Sequence, residues 1–247
     1  MSKWRIMPLV IADQQQHIAA SEMLLTTVEA GQPAVLYWSQ AEAVGLVLGY
    51  AQKHDVLNAA VEQIPVYHRR AGGTAVLVGP HLLGLDVVLP ANSPLLLPDV
   101  VESYRWFGEA WVEALRLLGV EARAVPPQEA HEQRALLKQA ETQEHETVLR
   151  RACFGSLSPY EVVVGRRKVV GLDMIRRRAG TLLQAGVLLR CESEMLAQLL
   201  GHTPEEQALL REGLHERAVG LDTLTGRMIT AQEVIAAFEE VIFADAQ

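Results

Sequence analysis

Three short segments carry side chains suited to chemistry. The first surrounds Cys153, in Arg151-Ala152-Cys153-Phe154-Gly155. A thiol becomes a nucleophile when neighbouring cations lower its pKa. Arg150 and Arg151 are adjacent in sequence. A buried structural cysteine is the other reading of the same residue. The second is Gly165-Arg166-Arg167-Lys168-Val169-Val170-Gly171. A lysine on a strand just past a turn can enter a cleft and stabilise a developing oxyanion; a solvated hairpin tip has the same composition. The third is His68-Arg69-Arg70-Ala71-Gly72-Gly73-Thr74. Paired glycines let the backbone approach a ligand closely, and their N–H groups suit an acyl carbonyl or a phosphate. Arg69 and Arg70 add donors for anions. An ordinary Gly-Gly turn with two surface arginines reads alike.

Other chemistries lack their residues. The histidines (17, 54, 68, 81, 131, 145, 202 and 215) show no metal-ligand spacing, and no Cys-x-x-Cys accompanies them. The sequence has neither a phosphate loop ending in Gly-Lys-Ser/Thr nor a Gly-x-Ser-x-Gly elbow. Trp106, Phe107 and Trp111 fall on an amphipathic stretch and are expected in the core. Cys191 is expected to be structural.

The elements that must position these segments follow from pattern. Trp4–Val10 reads as a strand. Gln14–Glu29 reads as a helix capped by Asp13, with Ala19, Met23, Leu24, Thr27 and Val28 as its apolar stripe. Strands are predicted at 34–38, 44–48, 65–70, 74–78, 82–89 and 120–125, and a short helix from Asp55 to about Gln63. Asp99–Leu118 is a predicted helix, and 128–146 a solvated helix or loop. A hairpin turning at Gly165-Arg166 joins Tyr160–Val164 to Lys168–Ile175, followed by a strand at 181–189. The tail reads as helices at 192–200, 204–216 and 230–244, the last capped by Thr230. The fold class is α+β, a mixed, largely antiparallel sheet flanked by helices. Residues 1–189 are expected to form the catalytic unit, and 190–247 a helical extension packed on it.

The chain has 247 residues, 49% hydrophobic and 21% charged, with net charge −8. That balance excludes bulk disorder and whole-surface nucleic-acid binding. Residues 150–178 nevertheless carry +6, leaving −14 elsewhere. This predicts a positive strip for an acidic partner, or else arginines spread over both hairpin faces. Two cysteines, no signal segment and no spanning stretch suggest a reducing cytoplasm and no membrane role.

Read in order, these pieces resemble the lipoate–protein ligase and octanoyltransferase family, which shares a catalytic fold with biotin–protein ligase. The resemblance rests on Leu36-Tyr37-Trp38, Leu48-Gly49-Tyr50-Ala51-Gln52, Arg69-Arg70-Ala71-Gly72-Gly73, Cys153-Phe154, Gly165-Arg166-Arg167-Lys168-Val169-Val170-Gly171, and Leu182-Leu183-Gln184-Ala185-Gly186. It implies that Lys168 binds the acyl carbonyl and that Arg69, Gly72 and Gly73 close over the acyl chain. Cys153 falls where ligase-like octanoyltransferases carry their acyl-accepting cysteine. Arg70, Thr74, Gly171, Gln184 and Gly186 join the substrate-binding set. The chain departs from the family pattern at Ala71, Val78, Ala185 and the run Gly171-Leu172-Asp173-Met174.

The resemblance implies an acyltransferase. Cys153 takes an octanoyl or lipoyl group from an acyl carrier protein thioester. The group then passes to a lysine of a lipoyl-domain protein, such as the glycine cleavage H protein or a 2-oxoacid dehydrogenase E2. That route needs no cofactor. The alternatives are a lipoate–protein ligase using ATP and Mg, an amidotransferase between lipoyl carriers, and a catalytically degraded module that only binds an acylated carrier.

Overall fold

The elements follow in chain order. They are β1 (Trp4–Ala12), α1 (Gln14–Thr27), β2 (Ala34–Ala41), β3 (Gly45–Leu48), β4 (Val66–His68), β5 (Val76–Val78), β6 (Leu82–Pro90) and α2 (Arg105–Leu117). Next come β7 (Arg123–Ala124), α3 (Pro127–Leu136), α4 (Gln143–Leu149), β8 (Val162–Val164), β9 (Arg167–Arg176) and β10 (Gly180–Leu188). The tail holds α5 (Ser193–Leu200), α6 (Pro204–Arg217), α7 (Leu221–Thr225) and α8 (Ala231–Ala244). This is a computed structural model, and it describes residues 4–136 and 143–244.

The main sheet runs β1-β2-β6-β10-β9-β8-β7 and the smaller one β4-β3-β5. In the main sheet β1 and β2 are parallel and the other pairs antiparallel. The α+β expectation holds. One face of the main sheet carries Leu36, Trp38, Leu83, Leu85, Val87, Leu183 and Val187 against α2 and α8. There Trp111 lies 4.3 Å from Phe238, and Trp38 meets both rings edge-on. Phe107 and Trp111 are core, as their positions predicted. A second cluster packs α4, α5 and α6 on the small sheet through Leu46, Leu48, Leu77, Leu199 and Leu214.

Period 2 places the alternate residues of the main sheet on its opposite face. Register then lines them up in three rows. Val35, Val88, Leu182 and Ile175 form an apolar row. Tyr37, Asp86, Gln184 and Asp173 form a polar one. Ser39, Gly84, Gly186 and Gly171 form a row that is almost bare of side chains.

Helix α1 covers part of this face, and the expected stripe holds only at its end, where Val28 is buried and Leu24 packs beside it. Its buried residues are His17, Ser21 and Leu25, whereas Met23 is exposed. The cause is what it covers: His17 bonds Tyr37 and Ser21 bonds Asp86, so polar side chains are satisfied on the buried side. Asp13 does cap the helix, accepting from the Gln15 amide at 2.8 Å. Other boundaries shift. Residues 54–63 form two 3₁₀ turns, His54–Val56 and Ala59–Gln63, in place of one helix. The helix expected from Asp99 begins with a 3₁₀ turn, Glu102–Tyr104. The 120–125 strand shrinks to β7, and α7 was not foreseen. The polar 128–146 segment forms α3 and α4, with 137–142 outside the described residues.

Candidate active site

The bare row forms the floor of a cleft of about 800 Å³, within the range typical of ligand sites. A β-carbon on Gly186 would only touch Leu82, at 3.6 Å, and one on Gly171 would touch Phe154, at 3.5 Å. Glycine at these positions therefore leaves space open. The row crosses three inter-strand spacings of about 4.8 Å each, from β9 to β2.

At the β9 end stand Cys153 and Lys168. Cys153 begins a 3₁₀ turn, Cys153–Gly155. Its amide donates to the Ala75 carbonyl at 2.9 Å, and the Ala75 amide donates to Arg151 at 3.0 Å. The Cys153 turn is thus laced to the chain leaving the glycine loop. Lys168 is 1% exposed. Its ammonium donates to the carbonyls of Cys153 and Ser156, each at 2.7 Å, and to both carboxylate oxygens of Glu161 at 3.0 Å. It also lies 5.1 Å from the centre of the Phe154 ring. Burial pushes the Glu161 carboxyl up, against the pull of Lys168 and of the Ser158 and Leu172 amides.

The glycine loop borders the cleft beside Cys153. Arg69 donates to the carbonyls of Gly72 and Thr74, so its guanidinium braces the loop. Gly73 has φ of 78°, a left-handed conformation that suits glycine. Its carbonyl approaches Gly49 so closely that a β-carbon there would sit 2.1 Å from it. Gln52 finishes the clamp, accepting from the Gly49 amide and donating to the Arg151 carbonyl. Arg70 instead leaves the loop to pair with Glu22 of α1 at 2.8 Å.

Of the sequence-predicted residues, the cleft gathers Arg69, Arg70, Gly73, Thr74, Cys153, Lys168, Gly171, Gln184 and Gly186. Gly72 is at the loop's open side, with nothing within 4 Å of where its β-carbon would be. Gln184 does not hang free; it donates to Asp86 at 2.8 Å. Cys191 lies apart, and burial raises its thiol to about 11.

The expected positive strip does not form. Lys168 and Arg151 are consumed by Glu161 and Glu206. Arg166 precedes the ten-residue β9 and Arg176 ends it, roughly 30 Å apart at the strand rise. Besides the paired Lys168, the lysine and arginine side chains lining the cleft are Arg69, Arg70, Arg134 and Arg150.

Sequence reasoning missed four acids. Glu161 and Asp173 are the two acids within the basic 150–178 segment, and both face the cleft. Asp86 is buried beneath Ser21 and Gln184, and burial raises its carboxyl. Glu206 holds Arg151. The usable signal was an acid placed between cations on a predicted strand.

The family model of the lipoyl protein ligase A/B catalytic domain matches residues 13–243, running through the C-terminal helices. Octanoyltransferase LipM of Exiguobacterium sp. is 27% identical over 241 residues, covering 96% of this chain and 84% of the relative. Octanoyltransferase LipM of Kyrpidia tusciae is 29% identical over 246 residues, covering 97% and 86%. Among solved structures, a bi-partite lipoate protein ligase from Thermoplasma acidophilum superposes with a TM-score of 0.72 at 18% identity, covering 96% of this chain and 80% of that one. A lipoate-protein ligase A bound with ATP gives 0.69 at 19%, covering 96% and 83%. These structures share the fold. The long family match, on top of a cleft that collects the motif residues, establishes that this chain belongs to the lipoyl protein ligase A/B catalytic-domain family.

Proposed function

We propose that the protein is an octanoyl- or lipoyl-transferase working through an acyl-Cys153 thioester. The observation that carries this reading is the placement of Cys153 on the cleft wall, its carbonyl tied to the buried Lys168 ammonium. Cys153, as thiolate, attacks the carbonyl carbon of a carrier thioester. The carrier's thiolate leaves and the acyl group stays on Sγ. Lys168 holds the nucleophile's turn and supplies positive potential beneath the developing oxyanion. The acyl chain lies along Gly171, Gly186 and Gly84, and the Arg69-braced loop closes over it. A lysine amine of a lipoyl domain then displaces Cys153. The incoming thioester is already activated, so neither ATP nor Mg is required. Arg134 and Arg150 at the cleft suit an acidic acyl carrier protein and acidic lipoyl domains. A reducing cytoplasm suits a free thiol nucleophile. Among the described residues no helix is long and apolar enough to cross a membrane.

The test is incubation with octanoyl-acyl carrier protein without ATP, followed by mass spectrometry. A hydroxylamine-labile octanoyl adduct on Cys153, absent in Cys153→Ser, is expected. Lipoyl transfer that requires ATP and survives Cys153→Ser would overturn the reading in favour of the ligase.

A further inference from the structure

The acceptor lysine arrives as an ammonium and attacks only as a neutral amine, so some group must take its proton. Resting on the transferase reading above, we propose that Asp173 is that proton acceptor. Asp173 stands in the polar row of the cleft face, directly across from Gln184. The point where a β-carbon of Gly73 would lie is 3.8 Å from Asp173 Oδ2 and 3.8 Å from Cys153 Sγ. Carboxylate and thiol therefore flank the same glycine and are separated by at most twice that distance. An amine attacking an acyl group on Sγ comes within reach of Oδ2.

The oxygens of Asp173 are divided. Oδ1 accepts from the Met174 amide at 2.7 Å. Oδ2 is ion-paired with Arg69 Nε at 3.7 Å, a loose contact outside hydrogen-bond range, and the guanidinium donates its hydrogen bonds to the loop carbonyls instead. Of the other titratable acceptors lining the cleft, His131 on α3 is the rival that the test must exclude, and the following four are committed. Glu161 is chelated by Lys168. Glu22 pairs with Arg70. Asp86 accepts from Ser21 and Gln184. His17 is held between the Tyr37 hydroxyl and the Gln40 carbonyl. The charged and titratable groups around Asp173 are Arg69, Cys153 on the other side of Gly73, Tyr104 before α2, and Glu161, which accepts from the adjacent Leu172 amide and is itself paired with Lys168. Burial raises the Asp173 carboxyl despite Arg69, a direction that suits a base near neutral pH.

The step balances as follows. Asp173 takes one proton from the ammonium. The amine attacks the thioester carbonyl, the C–N bond forms and the C–S bond breaks. Sγ leaves as thiolate and receives the second nitrogen-bound proton. Asp173 returns its proton to water, leaving an amide and a free Cys153 thiol.

The test separates the half-reactions in Asp173→Asn and Asp173→Glu. Acyl-enzyme formation from octanoyl-acyl carrier protein is measured first, then discharge by a lipoyl-domain protein and by hydroxylamine, an amine already neutral at pH 7. In Asp173→Asn, discharge by lysine should fall about a hundredfold more than acylation does. Its pH profile should lose the limb assigned to the base, and hydroxylamine discharge should keep its wild-type rate. Asp173→Glu should restore part of the lysine rate. Equal loss with both amines, unchanged lysine discharge, or a loss seen in His131→Ala instead would overturn the proposal. Wild-type enzyme that forms no acyl-thioester would overturn the transferase reading itself.

Discussion

Lys168 reaches Cys153 through the backbone: its ammonium donates to the carbonyl of Cys153 at 2.7 Å while Glu161 grips it from the other side. The lysine thus fixes the turn that presents the thiol, and in the proposed mechanism it also supplies charge to the site. These roles separate by mutation. Lys168→Met leaves Glu161 buried without its partner, which should cost about 3–5 kcal/mol. Adding Glu161→Gln removes the stranded charge and should recover much of that loss in chemical denaturation. Neither variant should transfer acyl groups. A double variant that regains activity along with stability would reduce Lys168 to a scaffold role.

The bare row makes a size prediction. Gly186→Ala adds a methyl at ordinary contact distance from Leu82, so stability should change by less than about 1 kcal/mol. Gly186→Val narrows the floor further. Transfer of octanoyl should fall about tenfold or more in the valine variant, with a butyryl donor affected less. Steady-state rates with a series of acyl-carrier thioesters check this. Equal losses at every chain length would place the acyl chain elsewhere.

Much of this site was legible because each motif answers to local chemistry. The Gly165-Arg166 turn and the valines around it announce the hairpin that carries Lys168, and β8 and β9 form there. Gly49 owes its identity to the close approach of the Gly73 carbonyl, and Gly73 its own to a positive φ, demands that a sequence marks only by glycine itself. What was hidden depended on register. Tyr37, Asp86, Gln184 and Asp173 come from four separate strands, and no local pattern reports that they share a row. The stripe of α1 misled for a related reason: His17 and Ser21 are buried because of partners on the sheet, whereas periodicity counts only apolar residues. The dispersal of the basic segment followed from the length of β9 and from the pairing of Arg151 and Lys168 with distant or buried acids.

The Arg151–Glu206 pair predicts an acid-sensitive support for the nucleophile's turn. Arg151 binds Glu206 through both terminal nitrogens, at 2.6 and 2.9 Å, and that hydrogen bonding lowers the carboxyl from 4.5 to about 2. A carboxyl depressed on folding stabilises the native state above its unfolded pKa and loses that effect as pH falls through the folded value. Wild type should therefore melt above Glu206→Gln at neutral pH, and the gap should close between pH 4.5 and about 2. Thermal melts of both proteins across that range test it. A gap that ignores pH would mean the side chain acts by packing.

Asp86 predicts the opposite sign. Burial raises its carboxyl above 3.8, although Ser21 and Gln184 both donate to it. A carboxyl raised on folding costs stability as pH climbs from the unfolded value through the folded one. Asp86→Asn keeps the shape and removes the buried charge, and Ser21 and Gln184 can reorient to satisfy an amide. It should be at least as stable as wild type at neutral pH, with its advantage fading below about 3.8. Asp86→Ala abandons both donors and should lose about 1–3 kcal/mol. The difference in melting temperature between the asparagine variant and wild type, followed from acid to neutral pH, isolates this one group because the other carboxylates are common to both. A difference that shrinks as pH rises would mean Asp86 works as a stabilising anion.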